Sequence, residues 1–267
     1  MERELILRRG AAALHLDVEA GGRVTQLDLA DLSVLAHVDR DSPVHWGCFV
    51  MAPWAGRIRD GRFGFDGRPY QLPLNWGPHA IHGTVLDRPW QLTEATADSA
   101  VLDCPLDDRW PWRGHVRQVV QVRDSAVEFT VRVEPAAAAF PAATGWHPWF
   151  RRRLARGGPV EIALDADAML LRDDAGIPTG DRVPVPDGPW DDCFDRVRWP
   201  VILTWPDALR MEITADTRYG VVYTEPNDAV CVEPQTGPPD ALNLEPTVVS
   251  PGQPLSATMA WSWEPLN

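Results

Sequence analysis

The chain contains no lysine: all 25 of its basic residues are arginine. That absence excludes Schiff-base chemistry, a pyridoxal phosphate anchor and the phosphate-binding lysine of a P-loop. Cysteine is scarce, with four residues, Cys48, Cys104, Cys193 and Cys231, too far apart to form a CxxC. Neither a zinc knuckle nor a redox dithiol follows, and free thiols in a reducing cytosol are expected. No apolar run reaches the length of a membrane span. The N-terminus, MERELILRRG, is charged from its second residue and lacks the apolar core of a signal peptide, so a cytoplasmic location is expected. Positive charge is also in deficit. The net charge of −13 disfavours nucleic acid and anionic membrane surfaces as partners and leaves a small molecule. No linker rich in glycine and serine and no repeat of solenoid period divides the chain, so residues 1–267 are expected to form a single domain, as monomer or homodimer. A hydrophobic fraction of 45% and a charged fraction of 24% are those of a globular domain with a substantial core.

What is present is proline (26), glycine (20) and, between them, short segments that alternate apolar and polar residues. AALHLDVEA, PVEIALDADAMLL, LRMEITAD, GVVYTEP, AVCVEPQ and LSATMAWSWEP all carry the period of a half-buried strand. RQVVQV and AVEFTVRV flank the short polar turn RDS, which predicts a hairpin. The best helical stretches, LSVLAHV and FRRRLARG, are short and lack caps. The fold class expected is all-β, a large antiparallel β-sandwich with long proline-rich connections, and such loops are where binding residues gather.

Thirteen tryptophans against three tyrosines read either as core packing or as platforms for the axial C–H patches of a sugar. Polar residues collect in five islands: APWAGRIRDGRF with Arg57, NWGPHAIHGTV with Asn75, His79 and His82, TGWHPWF with His147, PWDDCFDRV with Asp191 and Asp192, and VCVEPQTGPPDALN with Glu233 and Gln235. His147, set between Trp146 and Trp149 and followed by proline, reads either as a loop histidine bonded to a backbone carbonyl or as an acid/base group whose pKa its aromatic neighbours shift. Glu233 reads as the last residue of a strand, because PQTGPP is too rich in proline to continue a sheet. It is either salt-bridged there or a partly buried base. Asp191 and Asp192 read as a solvated turn or as ligands. His79 and His82 are flanked by GP and HG, which argues for a loop and for hydrogen bonding over metal binding; no metal site and no cofactor is expected.

Taken in order, these islands resemble the aldose 1-epimerase (galactose mutarotase-like) family. GRIRDGRF is similar to its arginine motif, NWGPHAIHG to its asparagine-then-histidine-glycine motif and GWHPWF to its G-x-H-P-aromatic-F motif. DDCF resembles its D-x-x-F, VCVEPQTGPPDALN its glutamate motif, and SPGQPLSATMAWSW its closing strand. AGRI and HGT depart from the better-known members and place the chain in a divergent branch.

The resemblance implies a β-sandwich called a supersandwich, in agreement with the strand periodicity. It also implies that Glu233 is general base and His147 general acid, with Arg57, His82 and Asp191 or Asp192 binding a hexose beside Asn75 and Gln235. The expected reaction is interconversion of α and β anomers by ring opening, with acid and base on opposite sides of the anomeric carbon and no cofactor. Three alternatives remain at this point: a non-catalytic carbohydrate-binding protein on the same fold, a hexose-6-phosphate mutarotase using arginines 57, 59, 62 or 151–153, and a glycosidase using Asp191 and Glu233.

Overall fold

The computed structural model describes residues 4–39 and 41–266; the first three residues of the charged N-terminal stretch lie outside these. Two large antiparallel sheets dominate. The first runs, in spatial order, Glu4–Arg9, Ala12–Asp17, Arg23–Leu29, Cys48–Met51, Gly145–Arg151, Ala229–Gln235, Tyr219–Tyr223, Asp191–Val197, Ala166–Arg172, Pro178–Val183, with Leu32–Ser33 paired beside the third. The second runs Gln91–Ala95, Ser99–Pro105, Gly114–Val122, Ala126–Pro135, Leu255–Pro265, Leu209–Ala215, Val201–Trp205, Glu161–Ala163. Alternation places one face of the second sheet's central strands inward. Val116, Val120, Phe129, Val131, Met211, Ile213, Ala257, Met259 and Trp261 meet Val24, Val50, Trp146, Phe150, Val230 and Val232 of the first sheet in one core. Such burial, at about 25 cal/mol per Å² of apolar surface, supplies the main driving force for this architecture.

The strand expectations hold closely: the RDS turn joins Gly114–Val122 to Ala126–Pro135 with Val122 opposite Val127. AVCVEPQ and LSATMAWSWEP are strands along their full lengths. LSVLAHV is not helical, contributing Leu32–Ser33 and the start of His37–Asp39. FRRRLARG continues a strand to Arg151 and then turns. Among the described residues the one α-helix is the single turn Ala241–Leu244.

Two expectations about proline are corrected. His147 lies within the strand Gly145–Arg151 rather than in a loop, and the strand holding Glu233 continues through Pro234 to Gln235. The pairing between these two central strands explains why. It runs Gly145 to Gln235 and then resumes at Trp149 with Cys231. Pro148 and Pro234, which have no N–H to donate, fall within the unpaired interval, and each strand keeps its other edge through Cys48–Met51 and Tyr219–Tyr223. By count, His147 and Glu233 sit opposite each other in that interval.

The outer face of the first sheet is covered by loops, which is why its centre is buried on both faces. The covering segment that carries His82 is held by a parallel bridge from Ala52 to Gly83 and by Thr84 N–H donating to the Ala52 carbonyl at 2.8 Å. Gly83 has φ +81°, and an added Cβ would fall inside the van der Waals radius of the Ala52 carbonyl oxygen. Gly83→Ala is therefore expected to destabilise the fold by about 2–4 kcal/mol. An unchanged denaturant midpoint would contradict this packing.

Candidate active site

Strand alternation sends Trp146 and Phe150 into the sandwich core and His147 and Trp149 to the opposite, loop-covered face. His147 is thus not held between its two neighbouring tryptophans. Its ring stacks between Phe49, from the adjacent strand (centroids 4.9 Å apart, planes at 23°), and Trp149 (5.2 Å, 13°). The same alternation brings Glu233 and Gln235 to that face while Val232 faces the core. His147 Nε2 lies 3.2 Å from Glu233 Oε1, and Gln235 Nε2 donates to Glu233 Oε2 at 3.1 Å. Acid and base candidates are therefore side by side on one sheet face, not on opposite sides of a substrate.

Above the pair is a cleft of about 660 Å³, open mouth included, lined by Arg57, His82, His147, Asp191, Glu233 and Gln235, with His45, Trp76, Trp149 and Tyr223 as its aromatic walls. Arg57 and His82 meet because Arg57–Ile58 pairs with Ala80–Ile81, and His82, at φ +58°, turns inward with its N–H donating to the Gly56 carbonyl. The His82 ring stands edge-on to His147 at 5.1 Å. Of the two aspartates, Asp191 lines the cleft and Asp192 does not; Arg172 ties both, at 2.7 and 3.1 Å.

Asn75 is brought close to the cleft but not into its lining. Its amide bonds both the N–H and the carbonyl of Ile81, so it acts by holding the strand that precedes His82. His79 Nδ1 accepts the Asp60 N–H at 3.1 Å, the hydrogen-bonding role expected of it. Of the other arginines, Arg59 pairs with Asp173, Arg62 bonds Gln71, and Arg152 donates to the carbonyls of Thr224 and Pro226. Most of the thirteen tryptophans are core or packing residues; only Trp76 and Trp149 line the cleft.

Sequence reasoning passed over Phe49, His45, Tyr223 and Arg23. His45 and Tyr223 had a signal, being polar aromatics near the expected islands. Arg23 had none. Its guanidinium is 1% exposed, donates to the carbonyls of Ala20, Pro43, Trp46 and Leu86, and lies over the Trp46 and Phe49 rings at 4.2 and 4.6 Å. The four acceptors are all backbone carbonyls, and burial lowers its pKa to about 9.

The sequence profile of the aldose 1-epimerase family matches residues 6–262. The chain belongs to that family. Its relatives include the uncharacterised protein YihR of Escherichia coli K12, 26% identical over 234 residues, which are 79% of this chain and 76% of that one. The maltose epimerase of Levilactobacillus brevis is 28% identical over 236 residues, 79% of this chain and 67% of the relative. In three dimensions the chain is similar to the GalM/aldose epimerase homologue from C. elegans, with a TM-score of 0.84 at 16% identity, over 99% of this chain and all (100%) of that one. That likeness carries the fold, the galactose mutarotase-like β-sandwich. No described helix is long and apolar enough to cross a membrane.

Electrostatics give this family member's cleft its chemistry. His147 and Glu233 are 6% and 3% exposed. Burial pushes the Glu233 carboxyl well above its usual value, with Asp191 adding to the effect. Burial likewise pushes the His147 imidazolium well below 6.5, reinforced by His82, Arg23 and His45. His82 is lowered to about 3 by burial and by Arg57. Burial thus favours the uncharged form of each member of the pair, and at 3.2 Å a proton on Glu233 Oε1 can be donated to His147 Nε2. Among the described residues His147 Nδ1, His82 Nδ1 and Gln235 Oε1 find no hydrogen-bond partner; unpaired buried polar atoms are uncommon, and here three gather at one cleft.

Cys231 brings its sulfur within 4.8 Å of the ligand atoms of His147 and Glu233. A thiophilic divalent ion could enter this N, S, O set only by expelling the proton of Glu233. Burial also holds the Cys231 thiol well above its ordinary pKa.

The raised pKa of Glu233 has a consequence for stability. In the unfolded chain the group ionises near 4.5, so the stability that its protonated form favours is complete below that pH and is lost as pH rises toward the folded value. Glu233→Gln keeps the hydrogen-bonding shape without that loss. It is expected to raise the melting temperature near neutral pH by about 2–4 °C. An unchanged or lower melting temperature at neutral pH would contradict it.

Proposed function

We propose that the protein is a mutarotase that interconverts the anomers of an unphosphorylated aldohexose. The observation that carries this reading is the buried contact of His147 with Glu233. Ring opening requires one proton to leave O1 and one to reach O5, and both oxygens are bonded to the same carbon. A neighbouring acid and base on one face of the sugar can serve both. The proton of the uncharged pair first passes from Glu233 Oε1 to His147 Nε2; the carboxylate so formed takes the O1 proton while the imidazolium delivers one to O5, the C1–O5 bond breaks, O1 becomes the aldehyde oxygen, and the chain turns about C1–C2. Closure on the other face of the carbonyl reverses both transfers. Because the pair holds one transferable proton and one basic site in either tautomer, the cycle returns it to its starting state.

Arg57, His82 and Asp191 are suited to hold the hydroxyls, with Arg57 stabilising charge that develops on the ring oxygen. Phe49 and Trp149 fix the imidazole plane and keep water from it. The neutral sugar is favoured over a sugar phosphate because Arg57 is the one arginine lining the cleft and shares it with Asp191 and Glu233; of the other arginines first considered for a phosphate, Arg59, Arg62 and Arg152 are bonded elsewhere. A glycosidase is disfavoured because the partner of Glu233 is an imidazole, not a second carboxylate.

The test is the decay of optical rotation of freshly dissolved α-D-glucose and α-D-galactose. Wild type is expected to accelerate at least one, and His147→Asn and Glu233→Gln each to lower the catalysed rate by about 10²–10⁴-fold. Saturable binding without acceleration would turn the reading to a carbohydrate-binding protein. Activity should stay level through neutral pH and fall on the acid side only well below pH 6.5, as His147 takes a second proton. Removing the nearby charge with Arg23→Met relieves the opposition to that proton, so the acid limb should move up in pH; an unmoved limb would contradict the electrostatic account.

A further inference from the structure

We infer that Cys231, His147 and Glu233 form a binding site for a thiophilic divalent ion of the zinc type, and that an ion held there inhibits the enzyme; the inhibition, though not the site, rests on the mutarotase reading. The Cys231 sulfur, a ring nitrogen of His147 and a carboxylate oxygen of Glu233 all lie within 4.8 Å of one another. Among the described residues this is the one group of three or more histidine, cysteine and acidic side chains so placed. Cys48, Cys104 and Cys193 are buried too, and none of them joins it.

Strand register makes the group. Cys231 and Glu233 are two residues apart on Ala229–Gln235 and so share its loop-covered face. Trp149 is paired with Cys231, and His147 stands two residues before Trp149 on the same face. Both strands are paired along both edges, so the sheet, not a loop, sets the spacing of the three side chains. His147 Nε2 and Glu233 Oε1 are 3.2 Å apart. Two ligands each about 2.1 Å from a tetrahedral zinc ion stand about 3.4 Å from one another, so this contact already has the length of one edge of such a site. The ligands are also oriented from outside. Gln235 Nε2 donates to Glu233 Oε2 and leaves Oε1 for the ion, while Phe49 and Trp149 hold the imidazole plane.

The charges balance. On binding, the thiol and the carboxyl each release a proton to solvent, and the imidazole binds as the neutral base. One thiolate and one carboxylate then cancel the two charges of the ion, which leaves a neutral complex, the kind a buried site tolerates. The way in is the cleft, since His147 and Glu233 line it; Cys231, 0% exposed, completes the set beside them. The ion is an inhibitor and not a cofactor because it occupies the imidazole nitrogen and the carboxylate oxygen that move the protons. A cysteine serving only as a small core residue would bind nothing, and the two roles are separable by experiment.

Cadmium chloride is titrated into the full chain and the ultraviolet charge-transfer band of a cadmium thiolate is followed. In parallel, mutarotation of whichever of α-D-glucose and α-D-galactose the wild type accelerates is measured with added zinc chloride and again after EDTA. Wild type is expected to show a saturable band, and zinc to suppress its catalysed rate until EDTA restores it. Cys231→Ser and Cys231→Ala are expected to lack the band, to keep the metal-free rate, and to need at least about tenfold more zinc for half-inhibition. No band in wild type, a band that persists in both variants, or equal zinc sensitivity in all three proteins overturns the site. A band that depends on Cys231 in a protein that accelerates neither sugar overturns the mutarotase reading and leaves the ion site standing.

Discussion

The rest of the structure is arranged around one contact, the 3.2 Å approach of His147 to Glu233 with both side chains buried. Two titratable groups buried together are unfavourable unless they neutralise one another. Here burial favours the uncharged form of each, and the proton they would share is the one the proposed reaction moves. Burial and function are therefore the same design decision: exposing the pair would separate it into an ordinary carboxylate and an ordinary imidazole.

Holding that contact requires the centre of a sheet to be covered on both faces and opened at one place. The core sheet covers one face, and the loops carrying His45, Arg57 and His82 cover the other. Pro148 and Pro234 interrupt the ladder between the two central strands where the two side chains meet, and the opening lies on the loop-covered face above them. Arg23 completes the support from behind. Its guanidinium, laid over Phe49 and bonded to four carbonyls, fixes the ring that fixes His147 and adds a positive charge that opposes protonation of the imidazole.

Much of this was legible in the sequence. The strands were, because one face of each is core and the other wetter, so the period of two survives in the residues. The site residues were legible as islands and by resemblance, and the structure gathers Arg57, His82, His147, Asp191, Glu233 and Gln235 around one cleft. The local frame of His147 and Glu233 was not, because a proline in sequence signals an end of pairing and gives no hint that the other edge of the strand persists. The aromatic plates were misassigned for a related reason: Trp146 and Trp149 are near in sequence, but in a strand residues three apart face opposite ways. Asn75, read as a ligand, bonds the backbone of Ile81, and Arg23 was invisible because an arginine among leucines, valines and glycines gives no local sign that it will be buried.

The most direct test of the shared proton is nitrogen NMR of the His147 ring, labelled selectively and followed from acid to neutral pH. The account predicts a neutral, singly protonated imidazole throughout the neutral range, with conversion to imidazolium only well below pH 6.5. An imidazolium signal at neutral pH, or titration near the value of a free histidine, would show that burial does not hold the pair uncharged and would contradict the account.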